Sequence, residues 1–253
     1  MLKGEKIVGT YRVTMSRAPV NAFDDEFVDA WSRVLDEVAS SSCTILHVRS
    51  SEKVFSAGAD LKMMRTFFAG ASAGEKLVAH VKRMQDVFNR IEALPNVTLA
   101  EISGSALGGG FELALACDLR VAGHGALLGL PESRIGLIPG AGGTQRLAKL
   151  CGMATAKRII LGCDTVDGKT AERVGLVQWS VADRELSSFC SSLAARISQS
   201  SAAALAASKR CLVKTESSVD PGLEAEREET LRLLETVDTQ SRVKAFLEGR
   251  GAR

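Results

Sequence analysis

A run of three glycines between two apolar segments constrains this chain more than any other feature. Gly108, Gly109 and Gly110 follow the strand-like segment 97–102 and precede the almost wholly apolar helical segment 111–117. Glycines let a backbone approach a ligand or another segment closely, and the first N–H groups of a helix lack partners inside it. The run therefore predicts either an anion or oxyanion site or tight packing of a helix on a strand. The pattern is neither a Gly-x-Gly-x-x-Gly fingerprint nor a P-loop.

A single carboxylate, Glu112, interrupts this apolar helical segment. Burying a carboxylate is costly unless it is paired, and burial would raise its pKa and suit it to proton transfer near neutral pH. Alternatively, Glu112 caps the helix or pairs with Arg120 or Arg134 in a structural role. The glycine run and the carboxylate together favour a functional site.

A second carboxylate, Glu132, follows Pro131 and precedes the glycine-rich segment 136–143. Taken alone, it is typical of a helix-starting or surface residue. Its interest lies in a possible pairing with Glu112, because two carboxylates in one dry pocket can act as acid and base.

The segment 55–62 consists mainly of small residues and leads into a helix start. Its backbone N–H groups are expected to complete an oxyanion hole with that of Gly109. The alternative is an ordinary loop in which Asp60 caps the helix.

Periodicity predicts an α/β protein in which strands alternate with helices over residues 1–182 and helices fill residues 183–253. The segment 67–75 lacks periodicity and is predicted to be mobile. Apolar positions after 183 predict helices broken once, at Pro221. The segment 6–15 is predicted to be a strand or a hairpin, and further strands are predicted at 44–48, 97–102, 119–122, 126–128 and 176–181. The predicted helices are 24–38, 81–94, 111–117 and one that opens at 144.

Composition excludes several classes of function. Lys and Arg number 32 against 30 Asp and Glu, so a nucleic-acid partner is not expected. No apolar run approaches the roughly 20 residues of a spanning helix, so no membrane partner is expected either. The first six residues do not resemble a leader peptide. The six cysteines are placed singly and are predicted to be small buried thiols in the reducing cytoplasm. Three histidines without metal-ligand spacing predict no metal site.

Five ordered segments resemble the enoyl-CoA hydratase/isomerase (crotonase) family, most closely its enoyl-CoA hydratases, and the resemblance extends over essentially the whole chain. The matching segments are 17–22 (RAPVNA), 55–61 (FSAGADL), 104–113 (GSALGGGFEL), 117–120 (CDLR) and 131–147 (PESRIGLIPGAGGTQRL).

The resemblance implies a ClpP/crotonase-like spiral of ββα units with a C-terminal helical trimerisation region, assembled as a homotrimer or a dimer of trimers. It implies an acyl-CoA thioester substrate, with no cofactor beyond the coenzyme A of that substrate. The thioester oxygen would lie between the backbone N–H groups of Ala59 and Gly109. The remaining substrate and coenzyme A positions implied by the resemblance are Ala57, Asp60, Leu61, Lys62 and Gly140.

The resemblance also implies a reaction, because hydratases of this family carry a glutamate at both positions that match Glu112 and Glu132. Such a lyase of fatty acid β-oxidation adds water in a syn manner to a 2-trans-enoyl-CoA and forms the 3-hydroxyacyl-CoA. Glu112 would deprotonate the water and Glu132 would exchange the proton at Cα. Double-bond isomerisation or another acyl-CoA reaction on the same fold is the near alternative, and a non-catalytic acyl-CoA binder is the second.

Two departures from the family pattern limit these expectations. Only three residues follow Arg250, so ligand or subunit contacts made by a longer tail are not expected. The segment 63–80 matches no family pattern, and it borders the acyl pocket in the family. The sequence therefore predicts no particular length for the acyl chain.

Overall fold

The computed structural model describes residues 1–69, 72–214, 230, 232 and 235–241 and confirms an α/β architecture. In these residues the strands are β1 (Leu2–Ile7), β2 (Thr10–Met15), β3 (Ile45–Ser50), β4 (Val97–Ile102), β5 (Ala106–Leu107), β6 (Leu119–Gly123), β7 (Leu127–Gly129), β8 (Thr165–Asp167) and β9 (Trp179–Val181). The helices are α1 (Asp25–Ala39), α2 (Leu61–Phe68), α3 (Ala73–Ala93), α4 (Gly109–Leu115), α5 (Gly143–Leu161), α6 (Gly168–Arg173), α7 (Leu186–Ser198) and α8 (Ala202–Lys214).

Six strands form the main sheet in the order β1-β2-β3-β4-β6-β9. The hairpin β1–β2 is antiparallel, and every later pair in this sheet is parallel. Parallel neighbours need crossover connections, and helices α1 to α4 lie within the connections from β2 to β6. A second, smaller sheet has the strand order β5-β7-β8.

The main sheet separates two hydrophobic cores, as alternating strand residues point to opposite faces. On one face, Leu46 and Ala100 belong to the larger core, which includes Phe27, Phe88 and Phe111. On the other face, the smaller core joins side chains of the sheet to side chains of α7: Ile45, Leu99, Val121, Leu186, Cys190 and Leu193. Helices α3, α4 and α5, which carry the candidate site, lie on the side of the larger core.

Helix α1 shows how the local sequence sets its boundaries. The Asp24 side chain accepts a hydrogen bond from the Phe27 N–H at 2.9 Å, as expected for an N-cap. The apolar stripe predicted for this helix is buried: Phe27, Trp31, Val34, Leu35 and Val38. The predicted helix and its cap are therefore confirmed.

The predicted C-terminal helical region is confirmed as far as α8. Lys209 of α8 anchors this helix, because its ammonium pairs with Asp118 at 2.7 Å and donates to the carbonyls of Leu94 and Asn96 at 2.8 Å. The predicted break at Pro221 and the apolar positions 231, 234, 243, 246 and 247 lie outside the described residues. The division of the chain at 182 and the trimerisation role of its C-terminal region stay predictions.

Short elements escaped the sequence-based prediction, because two to six residues do not establish a period. These are β5, β8 and α6. Helix α3 begins at Ala73, eight residues before the predicted start at 81, and α5 contains a break at Gly152. Residues 70 and 71, inside the segment predicted to be mobile, lie outside the described residues.

All six cysteines are free thiols. The expectation that they are buried is right for Cys117 and Cys190 and wrong for the other four, which are partly exposed. The helices of the described residues are all too short or too polar to cross a bilayer.

Candidate active site

A cavity of about 590 Å³ lies between α3, the start of α4 and the segment 131–141. Its polar groups include the side chains of Glu112 and Glu132, which the fold brings together from different segments. The rest of its wall is mainly apolar and includes Leu61, Met64, Leu77, Val78, Val81, Met84, Ile135, Leu137 and Ile138. The predicted placement of two carboxylates in one largely apolar pocket is therefore observed.

Glu112 is 3% exposed, and its Oε1 accepts a hydrogen bond from the Gly143 N–H at 2.7 Å. Burial raises the pKa of Glu112 to about 7, and the nearby Glu132 carboxylate pushes it the same way. The amides of Gly143 and Ala141 and the charge of Arg146 oppose that shift. A carboxyl group with such a pKa can both accept and release a proton at neutral pH.

The alternative pairing of Glu112 with Arg120 or Arg134 is wrong, because both arginines are engaged elsewhere. The capping alternative holds in a different form, because Glu112 Oε1 accepts from the N–H of Gly143, the first residue of α5, and not from its own helix. Arg120 donates from Nε to the carbonyl of Leu176 at 2.9 Å. Arg134 donates from Nη2 to the carbonyl of Cys163 at 2.7 Å. Neither guanidinium forms an ion pair with the buried carboxylate.

Glu132 is the first residue of a 3₁₀ turn, Glu132–Ile135, and its side chain enters the cavity. Its Oε2 is buried and has no hydrogen-bond partner among the described residues. Burial raises the pKa of Glu132. Gly108 lies beside this carboxylate, since a Cβ built on Gly108 would come within 2.9 Å of Glu132 Oε1. Gly108 therefore leaves the space that the second carboxylate occupies.

Two residues that line the cavity, Ala59 and Gly109, have backbone N–H groups without an acceptor among the described residues. Helix α4 begins at Gly109, and within the described residues neither its N–H nor that of Ala59 donates to a protein oxygen. The Phe23 backbone pairs with the residues that flank Ala59, namely the Gly58 carbonyl at 2.8 Å and the Asp60 N–H at 2.9 Å. A Cβ built on Gly109 would lie 3.8 Å from the Ala59 nitrogen. The two donors are therefore neighbours, as an oxyanion hole requires.

The glycines of segment 104–110 fall into two groups. Gly108 and Gly109 line the cavity. Gly110 and Gly104 instead allow close packing, because a Cβ on either would come within 2.2 Å of a carbonyl oxygen, that of Ser56 or Lys53 respectively. The tight packing drawn from the sequence is thus observed for part of the segment, and the oxyanion site stays a prediction.

The predicted substrate-contact positions separate into two groups. Ala57, Leu61 and Gly140 line the cavity. Asp60 and Lys62 are not among the lining residues, and Lys62 is exposed.

Asp60 caps α2, because its Oδ1 accepts from the N–H groups of Lys62 at 2.8 Å and Met63 at 3.0 Å. Arg17 pairs with its other oxygen at 3.2 Å. Burial works to raise the pKa of Asp60, but these hydrogen bonds outweigh it and lower the pKa. The cap predicted as an alternative for this segment is therefore observed.

Sequence reasoning missed two residues that hold the second glycine-rich segment against α3. Gln85 donates from Nε2 to the Gly140 carbonyl at 2.7 Å, and Arg146 donates from Nη1 to the Ala141 carbonyl at 3.1 Å. Arg146 belongs to the matched segment 131–147, but nothing in its local pattern indicates which carbonyl it binds.

One group in the described residues has the donor atoms of a metal site. His47, Glu101 and Cys190 are buried, and their ligand atoms lie within 4.8 Å of one another. His47 Nε2 lies 2.9 Å from Glu101 Oε2, and Arg49 Nη2 lies 3.7 Å from the other oxygen. The Arg49 guanidinium therefore already faces this carboxylate, and the absence of a metal site stays a prediction.

The family model described as enoyl-CoA hydratase/isomerase matches residues 5–253. YngF of Bacillus subtilis (strain 168), whose name includes enoyl-CoA hydratase/isomerase, is 37% identical over 245 residues, which are 95% of this chain and 92% of the relative. The short-chain-enoyl-CoA hydratase of Clostridium acetobutylicum is 32% identical over 242 residues, 94% of this chain and 91% of the relative.

A solved enoyl-CoA hydratase from Bacillus anthracis superposes with a TM-score of 0.93 at 28% identity, covering 100% of this chain and 98% of that structure. The similarity extends over the whole chain and confirms the crotonase-type fold that the sequence predicts.

Proposed function

The chain belongs to the enoyl-CoA hydratase/isomerase family, and from that premise we propose that it is a hydratase that adds water in a syn manner to a 2-trans-enoyl-CoA. The observation that carries the proposal is the pair of carboxylates, Glu112 and Glu132, in one largely apolar cavity. Isomerisation needs a proton to be moved along the acyl chain, whereas hydration needs a water to be held and deprotonated as well. Two carboxyl groups with raised pKa values suit the second task.

The thioester oxygen would accept hydrogen bonds from the backbone N–H groups of Ala59 and Gly109. When water adds to Cβ, the electron pair of the double bond moves towards this oxygen and creates an enolate. Donors that already point at the developing charge stabilise it without reorganisation, and each contributes about 3 kcal/mol in comparable sites.

The two carboxyl groups would then share the proton transfers. Glu112 takes a proton from the attacking water as the oxygen–Cβ bond forms. The enolate collapses and takes a proton at Cα from Glu132, whose protonated form is favoured by burial. One proton enters the pair and one leaves it, so the net change is addition of one water molecule. The titration belongs to the coupled pair, since each carboxylate disfavours ionisation of the other.

The remaining positions divide between the acyl group and the coenzyme A portion. Leu61, Ala57 and Gly140 would border the acyl thioester, since they line the cavity. The exposed Lys62 ammonium would pair with a phosphate of coenzyme A. Asp60 would act indirectly, by capping the helix that begins at Leu61. Assembly as a homotrimer or a dimer of trimers, and a place in fatty acid β-oxidation, are part of the same proposal.

The test follows the loss of conjugated enoyl absorbance when the protein is mixed with crotonyl-CoA. Glu112→Gln and Glu132→Gln should each lower kcat by roughly 10² to 10⁴, the usual worth of general acid–base catalysis. Glu172→Gln is the matched control, because Glu172 is an exposed residue of α6 away from the cavity. It should leave the rate unchanged.

Three results would contradict the proposal. Wild-type rates in both active-site variants would exclude the assigned roles. Conversion of a 3-enoyl-CoA to the 2-enoyl isomer without formation of 3-hydroxyacyl-CoA would identify an isomerase. Binding of acyl-CoA in calorimetry without turnover of any enoyl substrate would identify a non-catalytic binder.

A further inference from the structure

We propose that Arg146 is a positioning residue that holds the Glu112 carboxylate in place by clamping the segment 139–143 to helix α3. Arg146 lies in the first turn of α5 and does not line the cavity around Glu112. It acts through backbone groups and through its charge. The inference rests on the proposed function only where it predicts rates, because the position and titration of Glu112 can be measured without substrate.

The guanidinium of Arg146 connects three parts of the structure. Nε donates to Glu92 Oε2 at 2.9 Å and Nη2 to Asn89 Oδ1 at 2.6 Å, both on α3. Nη1 donates to the Ala141 carbonyl at 3.1 Å. The Arg146 side chain is 10% exposed, so this fork is held in a largely dry environment. A planar guanidinium with several fixed donors suits such a clamp better than an ammonium does.

The clamped segment carries the donors that orient the catalytic carboxylate. The Gly143 N–H donates to Glu112 Oε1 at 2.7 Å, and the Ala141 amide also acts on Glu112. Gly142 lies between these two donors, and a Cβ built on it would come within 2.1 Å of Arg146 Nη1. The guanidinium therefore packs directly on the backbone whose N–H groups hold Glu112, and loss of the fork would release both donors.

The charge of Arg146 acts on the same carboxylate. The cavity around Glu112 is also lined by Glu132 and Arg134 of the 3₁₀ turn and by His80 of α3, and Glu92 of α3 lies behind the Arg146 guanidinium. Arg146 lowers the pKa of Glu112, whereas burial and Glu132 raise it. Removal of the positive charge would therefore raise the pKa of Glu112 above about 7. The fraction ionised at neutral pH would fall.

The experiment compares Arg146→Gln, which removes the charge, with Arg146→Lys, which keeps the charge and loses the fork. Arg158→Gln is the matched control, because Arg158 lies on the same helix and pairs with the exposed Asp164 at the surface. The titration of Glu112 is followed without substrate by NMR of protein with ¹³C-labelled glutamate carboxyl groups. The signal that disappears in Glu112→Gln identifies the residue.

The Gln variant should titrate at a higher pH than wild type, and its kcat at pH 7 should fall in proportion to the lost ionised fraction of Glu112. The Lys variant should titrate close to wild type, yet have a lower kcat with little change in KM, because the donors of Glu112 are no longer held. The Arg158→Gln variant should match wild type in both measurements. A role confined to fold stability would lower the rate at every pH without moving the midpoint.

The proposal is overturned if a folded Arg146→Gln protein titrates like wild type. If that variant does not fold, the Lys variant decides, and a wild-type kcat in it overturns the proposal. A shifted Glu112 midpoint in a protein that hydrates no enoyl-CoA would count against the proposed function and leave the role of Arg146 supported.

Discussion

Replacement of Gly108 by alanine tests the proposed role of Glu132 without touching a charged group. The new Cβ would lie 2.9 Å from Glu132 Oε1, whereas ordinary contact begins near 3.4 Å. The carboxylate must therefore move by about 0.5 Å. Because a 1 Å misplacement of a reacting group can lower the rate about 10²-fold, we expect kcat/KM for crotonyl-CoA hydration to fall about 10-fold. Gly108 has a φ of +52° and a ψ of −130°, a sparsely populated combination in which alanine costs about 2 kcal/mol of backbone strain.

Gly175→Ala is the matched control, because Gly175 has a φ of +78° and a Cβ there would meet nothing within 4 Å. Each variant should lower Tm by roughly 2–8 °C, since 1 kcal/mol corresponds to about 2–4 °C in a chain of this size. Only the Gly108 variant should lose activity. The rate is followed by enoyl absorbance and Tm by differential scanning calorimetry. Wild-type kcat/KM in Gly108→Ala, with Tm lowered as in the control, would refute the placement of Glu132.

Two further predictions concern stability. The pKa of Glu112 is raised in the folded protein to about 7, so its favourable contribution is complete below pH 4.5 and is lost as pH rises through 7. Glu112→Gln should therefore have a free energy of unfolding above that of wild type by about 3 kcal/mol at pH 8 and by about 1 kcal/mol at pH 5, measured by urea titration. Equal gains at both pH values would contradict the assigned pKa. The free energy of unfolding of Asp60→Ala should be about 1–2 kcal/mol below that of wild type, because two N–H groups of α2 lose their acceptor. Asp60→Asn should keep most of the capping energy. Equal losses in the two variants would exclude capping as the cause.

The regular elements were predictable where a local pattern was long enough to repeat. Helix α1 combines a capping aspartate with five apolar residues at helical spacing, so its boundaries follow from neighbouring residues alone. Strand β4 was predicted over 97–102 and is observed as Val97–Ile102, because a short apolar run before the glycines matches a fully buried strand. Elements such as β8, whose pairing with β7 depends on a distant segment, lack such a pattern.

The candidate site was predictable only in its chemical groups. A carboxylate in an apolar helix and glycines before it indicated the groups involved, but they left open a structural pairing of Glu112. The pairing failed because Arg120 and Arg134 bind backbone carbonyls, which no spacing in the sequence reveals. The expectation for the cysteines failed in a similar way, since four of them lie at partly exposed positions.

The sequence by itself determined the α/β class, the family resemblance and the two glutamates with their glycine-rich neighbours. These depend on residue type and local order, which are properties of neighbouring positions along the chain. The tertiary structure alone decided that Glu112 is buried beside Glu132. It also decided that Gly108 leaves room for a carboxylate while Gly110 packs on a carbonyl. It decided, finally, that Arg146 binds the segment behind Glu112. The physical reason is that pKa, packing and hydrogen bonding depend on groups brought together across long sequence separations, and those contacts exist only once the chain has folded.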